Sequence, residues 1–216
     1  THDLKTPMTS IITFTRLVEL DNTHLDDESK QYLNIIRQKT KEMQEQLQTV
    51  NEWTQMDLST SSTQPFDLAL LIRNFCKDIQ ADMDVNGLAL RLFIKADSPV
   101  LIHGNQQKMI SVLQNLVFNS VSFTPAGGTI TLSLQKDDTS VLLQVEDNGA
   151  GIAQEDLPHI FDRFFSKRKN GKNTGMGLFI VKSIIAQHNG TIEATSQLEK
   201  GTTFTIRLPL YTNTDH

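Results

Sequence analysis

The chain has 216 residues, 38% of them hydrophobic, with a formal net charge of -5 and a pI near 5.6. That length and apolar content suffice for one large or two small packed domains, and the acidic balance provides no overall electrostatic footprint for nucleic acid. Cys76 is the only cysteine, which excludes an intramolecular disulfide and fits a reducing compartment, and no apolar run approaches the roughly 20 residues that cross a bilayer.

Residues 1 to about 57 read as two helices. Leu4, Met8, Ile11, Thr15 and Val18 recur at spacings of three and four, as do Leu33, Ile36, Thr40, Met43, Leu47, Val50 and Thr54, the rhythm of a packed helical seam. Lys39, Lys41, Glu42 and Glu45 fall off it. The polar stretch Asp21 to Asp27 turns the chain between them, giving an antiparallel hairpin. Two helices alone leave the seam half exposed, so two hairpins are expected to pair in a four-helix bundle, a homodimer. Packing of the hairpin on the rest of the chain is the alternative.

From Leu58 to Pro65 the periodicity gives way to small polar residues, the signature of a linker. The expected organisation is therefore a hairpin over 1–58, a linker over 59–65 and a second domain over 66–216. In that domain Asp67 caps a helix running to about Val85, Leu88 to Asp97 alternates like a strand, and Gln106 to Phe123 forms a further helix. Thr129 to Lys136 and Val141 to Glu146 flank the turn Asp137-Asp138-Thr139-Ser140. Strands at Thr191 to Gln197 and Thr202 to Leu208 follow a helix that begins near Gly177. Mixed helices and largely antiparallel strands imply a two-layer α/β sandwich, and the whole chain is of the α+β class.

Several residues carry chemistry. A neutral imidazole at His2 is nucleophilic near pH 7, and Asp3 beside it can take the proton from the other ring nitrogen. Thr6 lies one helical turn on, where its hydroxyl can orient a water. Pro7 leaves the Asp3 carbonyl without its helical donor, so the helix is expected to bend there. In isolation a His-Asp pair reads as an exposed, inert imidazole. Asn115 and Asn119 stand four apart on one helix, able to offer two amide oxygens to one ligand, and Mg2+ needs few protein oxygens when phosphates supply the rest. Asp147 ends an alternating strand ahead of Gly149 and Gly151; its carboxylate can accept from an exocyclic amine, and the glycines allow close backbone approach. Gly175-Met176-Gly177 opens the helix of Leu178, Val181, Ile184 and Ile185, a helix N-terminus suited to polyphosphate.

Thr1-His2-Asp3-Leu4-Lys5-Thr6-Pro7, Asn115-Leu116-Val117-Phe118-Asn119, Asp147-Asn148-Gly149-Ala150-Gly151 and Gly175-Met176-Gly177 together resemble the H, N, G1 and G2 boxes of sensor histidine kinases, in the family's order and over nearly the whole chain. The resemblance implies a phosphoacceptor hairpin followed by the ATP-binding fold shared with DNA gyrase and related ATPases. It assigns the accepted phosphoryl group to His2, general-base work to Asp3 and phosphatase work to Thr6. Asn119 and Asn115 would hold Mg2+, and Asp147 would read the adenine amino group. Phe123, Gly149, Gly151, Thr174, Gly175, Met176, Gly177 and Leu178 would line the nucleotide, and Gly201-Thr202-Thr203 resembles the last glycine box, with Thr203 taken as its contact. Phe161-Asp162-Arg163-Phe164-Phe165 looks like the F box, with Arg163 a phosphate contact, and the basic segment through Lys172 resembles the lid over ATP. Two departures stand out. Asp3 replaces the more common Glu, and Ser122 replaces a common Lys, removing one phosphate contact.

The expected activity is Mg-ATP-dependent phosphorylation of His2 followed by transfer to an aspartate of a response regulator. Alternatives with the same fold are a predominantly phosphatase enzyme and an ATP-gated dimeric interaction module. A gyrase-like hydrolase would need a catalytic base near the N box, where Gln114 stands. Thr1 lies inside a motif, so the expectation is an excised cytoplasmic piece of a membrane-anchored bacterial sensor, touching membrane only through segments outside it.

Overall fold

The computed structural model describes residues 2–21, 25–40, 63–96, 98–166 and 175–212, with backbone alone at 2–6 and 21. Helix α1 spans His2–Asp21 and includes Pro7. A second helix, α2, is described over 27–40. Its start is fixed by Asp26, whose carboxylate accepts from the backbone N–H of Ser29 at 2.7 Å, the usual way of satisfying a free helix-end donor. Arg37 of α2 pairs with Glu19 of α1, which joins the two helices as a hairpin.

Among the described residues the expected seam is half realised. Met8, Thr15 and Thr40 are buried, and the two threonine hydroxyls donate to Ile12 O and Ile36 O of their own helices. Ile11, Val18 and Ile36 stay substantially exposed, as do Phe14, Leu17, Leu20, Tyr32 and Ile35. The seam positions Met43, Leu47, Val50 and Thr54 lie outside the described residues.

The remaining elements are β1 (Gln64–Asp67), α3 (Leu68–Val85), β2 (Ala89–Lys95), β3 (Leu101–Gly104), α4 (Gln106–Phe123), β4 (Thr129–Lys136), β5 (Ser140–Asp147), a 3-10 turn (Leu157–His159), α5 (Gly177–Gln187), β6 (Thr191–Gln197) and β7 (Gly201–Pro209). Five strands form one sheet in the order β2-β4-β5-β7-β6. Only β2 and β4 are parallel, and the β3–α4 segment supplies the crossover that a parallel pair requires. Ile130, Leu132 and Leu134 of β4, Val141, Leu143 and Val145 of β5, and Phe204, Ile206 and Leu208 of β7 are buried at every second position. Helices α3, α4 and α5 supply Ile72, Met83, Leu113, Leu116, Val181 and Ile185 to the same core. The expected two-layer sandwich is present, because the period of two turns one face of each strand toward the helices.

One boundary differs from expectation. Composition places Gln64 and Pro65 in the linker, yet they pair with Gly104 and His103 in the two-stranded β1–β3 sheet. An edge position accommodates the proline, which has no N–H to donate. Asp67 closes this piece: its carboxylate caps α3 through Ala69 N at 2.9 Å and also accepts from Val100 N at 3.1 Å.

The chain divides into two compact units, Thr1–Thr60 with Phe164–Met176, and Ser61–Arg163 with Gly177–His216. Among the described residues no helix is long and apolar enough to cross a membrane.

Candidate nucleotide site

Helix α4 begins at a fixed point. Asn105 caps it, its side-chain oxygen accepting from Lys108 N at 3.0 Å, while the backbone N–H of Asn105 donates to Nε2 of buried His188 at 3.0 Å. With Nε2 accepting, Nδ1 is the nitrogen that donates to Ile184 O, at 2.8 Å, so this imidazole ties the end of α5 to the start of α4. Two turns along α4, Asn115 directs its amide nitrogen to Ser111 O at 2.8 Å, leaving the oxygen directed elsewhere. That oxygen lies against the first residue of α5: a Cβ on Gly177 would stand 2.6 Å from Asn115 Oδ1. The structure thus brings Asn115 and the start of α5 together. Asn119, one turn on, is half-buried.

At the end of β5, Asp147 is only 6% exposed. One carboxylate oxygen accepts from Gly149 N at 3.0 Å and Thr202 N at 3.3 Å, the other from the Ser120 hydroxyl at 2.9 Å. A buried carboxylate stays viable only when donors surround it like this. The loop after Asp147 is held by the chain itself. Ala150 N donates to Phe123 O, Glu199 N donates to Ala150 O, and Ile152 N donates to the Ser196 hydroxyl.

The two glycines here have a reason within the chain itself. A Cβ at Gly149 would come within 2.5 Å of Phe123 O, and one at Gly151, where φ is +70°, within 2.1 Å of Gln197 O. The close approach is between segments of this chain, and it shapes the loop before any ligand arrives. Thr203 pairs with Glu146, on the sheet face opposite Asp147, whereas Thr202 pairs with Asp147 itself. Thr202 shares the parity of Phe204, Ile206 and Leu208, so strand alternation carries the signal that selects it. Ser120 escapes the motif reading as well. It follows Leu116 and Val117 on the buried side of α4, where a hydroxyl requires a partner.

A cleft of about 570 Å3 is lined by Ser122, Phe123, Thr124, Pro125, Asn148, Gly149, Ala150 and Glu199, bringing Phe123 and Gly149 together. Leu178 is half-buried in the first turn of α5. Arg163 is exposed, its guanidinium carbon 4.6 Å from the centroid of Phe179. Gly175, with φ of +68°, abuts the Phe164 backbone, and Met176 beside it is buried; both belong to the unit that contains α1 and α2. The side chains of His2, Asp3 and Thr6, and all of Lys172 and Thr174, lie outside the described residues. Burial pushes the Cys76 thiol up to about 11, which leaves it neutral and a poor nucleophile at physiological pH.

Among the described residues no group of three or more His, Cys, Asp or Glu is arranged to hold a metal. Amide oxygens at Asn115 and Asn119 suit a hard cation that draws its other ligands from phosphate and water.

Residues 104–212 match the family of histidine kinase-, DNA gyrase B- and HSP90-like ATPases, and residues 1–59 match the His Kinase A (phospho-acceptor) domain. The chain belongs to the sensor histidine kinases. Sensor histidine kinase YclK of Bacillus subtilis is 31% identical over 97% of this chain and 45% of its own length. The heme sensor protein HssS of Staphylococcus aureus is 32% identical over 96% of the chain and 45% of its own. The kinase core therefore spans less than half the length of these relatives. Among solved structures, the Acinetobacter baumannii histidine kinase AdeS is 25% identical, with a TM-score of 0.63 over 98% of this chain and 99% of that one.

Proposed function

We propose that this kinase core binds Mg-ATP in the sandwich, moves the γ-phosphoryl group to His2 and passes it to an aspartate on a response regulator. The observation that carries this is the joining, in one chain, of a match to a phospho-acceptor domain over residues 1–59 to an ATPase domain whose buried Asp147 stands at the end of β5. A carboxylate there accepts from the adenine amino group, and guanine offers an oxygen at the equivalent place, so the acceptor selects adenine. Asn115 and Asn119 would hold Mg2+, which neutralises phosphate charge when bound. The N–H groups opening α5 receive the phosphates, with Arg163 as an added cation.

In the transfer itself an imidazole nitrogen of His2 attacks the γ-phosphorus. The N–P bond forms as the bridging P–O bond breaks, and ADP departs with that electron pair. The proton on the other ring nitrogen passes to Asp3, so the imidazole is not left cationic. Positioning supplies most of the acceleration, since phosphoryl transfer needs an in-line nucleophile more than covalent help. Residues 1–58 serve as the phosphotransfer hairpin, which pairs with a second copy in a four-helix bundle, and the catalytic domain begins at β1. The supply of ATP places the reaction in the cytoplasm.

Labelling from γ-labelled ATP with Mg2+ tests this proposal. Acid-labile phosphate is expected on the unsubstituted protein and on neither His2→Gln nor Asn119→Ala. Label that survives His2→Gln would remove His2 from the role.

A further inference from the structure

Two cations and two aromatic rings are exchanged between the turn 161–163 and α5. Arg163 of the turn sits 4.6 Å over the Phe179 ring of the helix, and Lys182 of the helix sits 5.7 Å over the Phe161 ring of the turn. Phe161 is fixed in its own right by an edge contact with Phe204 of β7, their centroids 6.4 Å apart at 75°. The pattern is reciprocal: the turn offers a ring and a cation two residues apart, and the helix a ring and a cation three apart, on neighbouring turns of one face.

Phe179 is the third residue of α5. A guanidinium beside the first turn of a helix is opposed by the aligned N–H groups there, which form the positive end of the helix dipole. An aromatic face offsets that repulsion, because its quadrupole presents negative charge to the cation. We infer that Phe179 is a positioning residue that holds Arg163 at the N-terminal end of α5, ready for the polyphosphate of the bound nucleotide. The inference rests on the assignment of that helix end and Arg163 to phosphate. With an anion present, the helix end and the guanidinium cease to oppose each other and act on the same charge. The work of Phe179 is then to bring Arg163 there before the anion arrives, which reduces what ordering costs on binding.

Substitution by aliphatic residues would confuse packing with electrostatics, so the test uses the full chain carrying 4-fluoro-, 3,5-difluoro- or 3,4,5-trifluorophenylalanine at 179. These rings keep nearly the same size while their negative face fades. Calorimetric titration with AMP-PNP and Mg2+, beside adenosine, reads the phosphate-dependent part of binding. The AMP-PNP dissociation constant should rise stepwise along the series, by about two- to fivefold in total, while adenosine binding stays level. Phe179→Trp should retain the unsubstituted affinity, and an Arg163→Ala background should abolish the fluorine dependence. A level series, with Arg163→Ala still weakening AMP-PNP, would overturn the role of Phe179 and leave Arg163 on the phosphates. A fluorine dependence that persists without Arg163 would also overturn it. No effect of Arg163→Ala would remove Arg163 from the phosphates and the inference with it, and no AMP-PNP binding by the unsubstituted chain would overturn the nucleotide site itself.

Discussion

Asp147 faces three donors inside the domain, Gly149 N, Thr202 N and the Ser120 hydroxyl, and this decides what an isosteric change does. In Asp147→Asn the remaining oxygen can keep the two backbone donors, and the Ser120 hydroxyl can rotate to accept from the new NH2 group. The fold should therefore lose only about 1 kcal/mol. Adenine would meet a donor where it needs an acceptor. ATP affinity is expected to fall at least about tenfold, the scale of an unpaired buried polar group, with GTP disfavoured less; competition binding with both nucleotides measures this. A second residue-scale prediction concerns Gly177, where a Cβ would stand 2.6 Å from Asn115 Oδ1. Gly177→Ala should displace that amide and weaken the Mg-dependent part of ATP binding, while circular dichroism remains unchanged. Added to Asn115→Ala it should cost little more, since both changes remove one arrangement. At this scale the sequence is informative about residue type and less so about direction. Thr202 and Thr203 are adjacent and chemically identical, and only the phase of the strand separates the one beside Asp147 from the one on the far face.

Elements with a strong local signal are legible in the sequence alone. Asp67 does cap α3, and α4 runs from Gln106 to Phe123 as its periodicity implies. What escapes such a reading is set by distant partners. Strand β1 is short, polar and contains Pro65, so nothing local marks it; it exists because β3 pairs with it and Asp67 reaches Val100. The parallel pairing of β2 with β4 likewise follows from the crossover, which no local pattern encodes. His188 shows how such distant ties hold the site-bearing helices. It accepts from Asn105 N at the start of α4 and donates to Ile184 O within α5. In His188→Leu the buried Asn105 N–H loses its acceptor, so urea denaturation should show a loss of about 1–3 kcal/mol. An unchanged midpoint would mean that α4 is held in place without this bond.

For the whole molecule, the deciding matter is what covers the hairpin. Phe14 and Leu20 are 65% and 69% exposed, and Ile11, Leu17, Val18, Ile35 and Ile36 share the two helices with them. So many large apolar side chains on two helices exceed what an isolated surface residue would explain, and they match the contact layer of a helical bundle. Charge placed in that layer would be desolvated against an apolar partner in a dimer but would remain in water on a monomer. Phe14→Glu with Leu20→Glu should therefore shift sedimentation equilibrium from a dimer to a monomer. ATP affinity should be unchanged, because Asn115, Asp147 and Gly177 all lie in the other unit. If these side chains were instead covered within one chain, the unsubstituted protein would sediment as a monomer at every concentration, and the same pair of substitutions would lower its melting temperature without altering its mass.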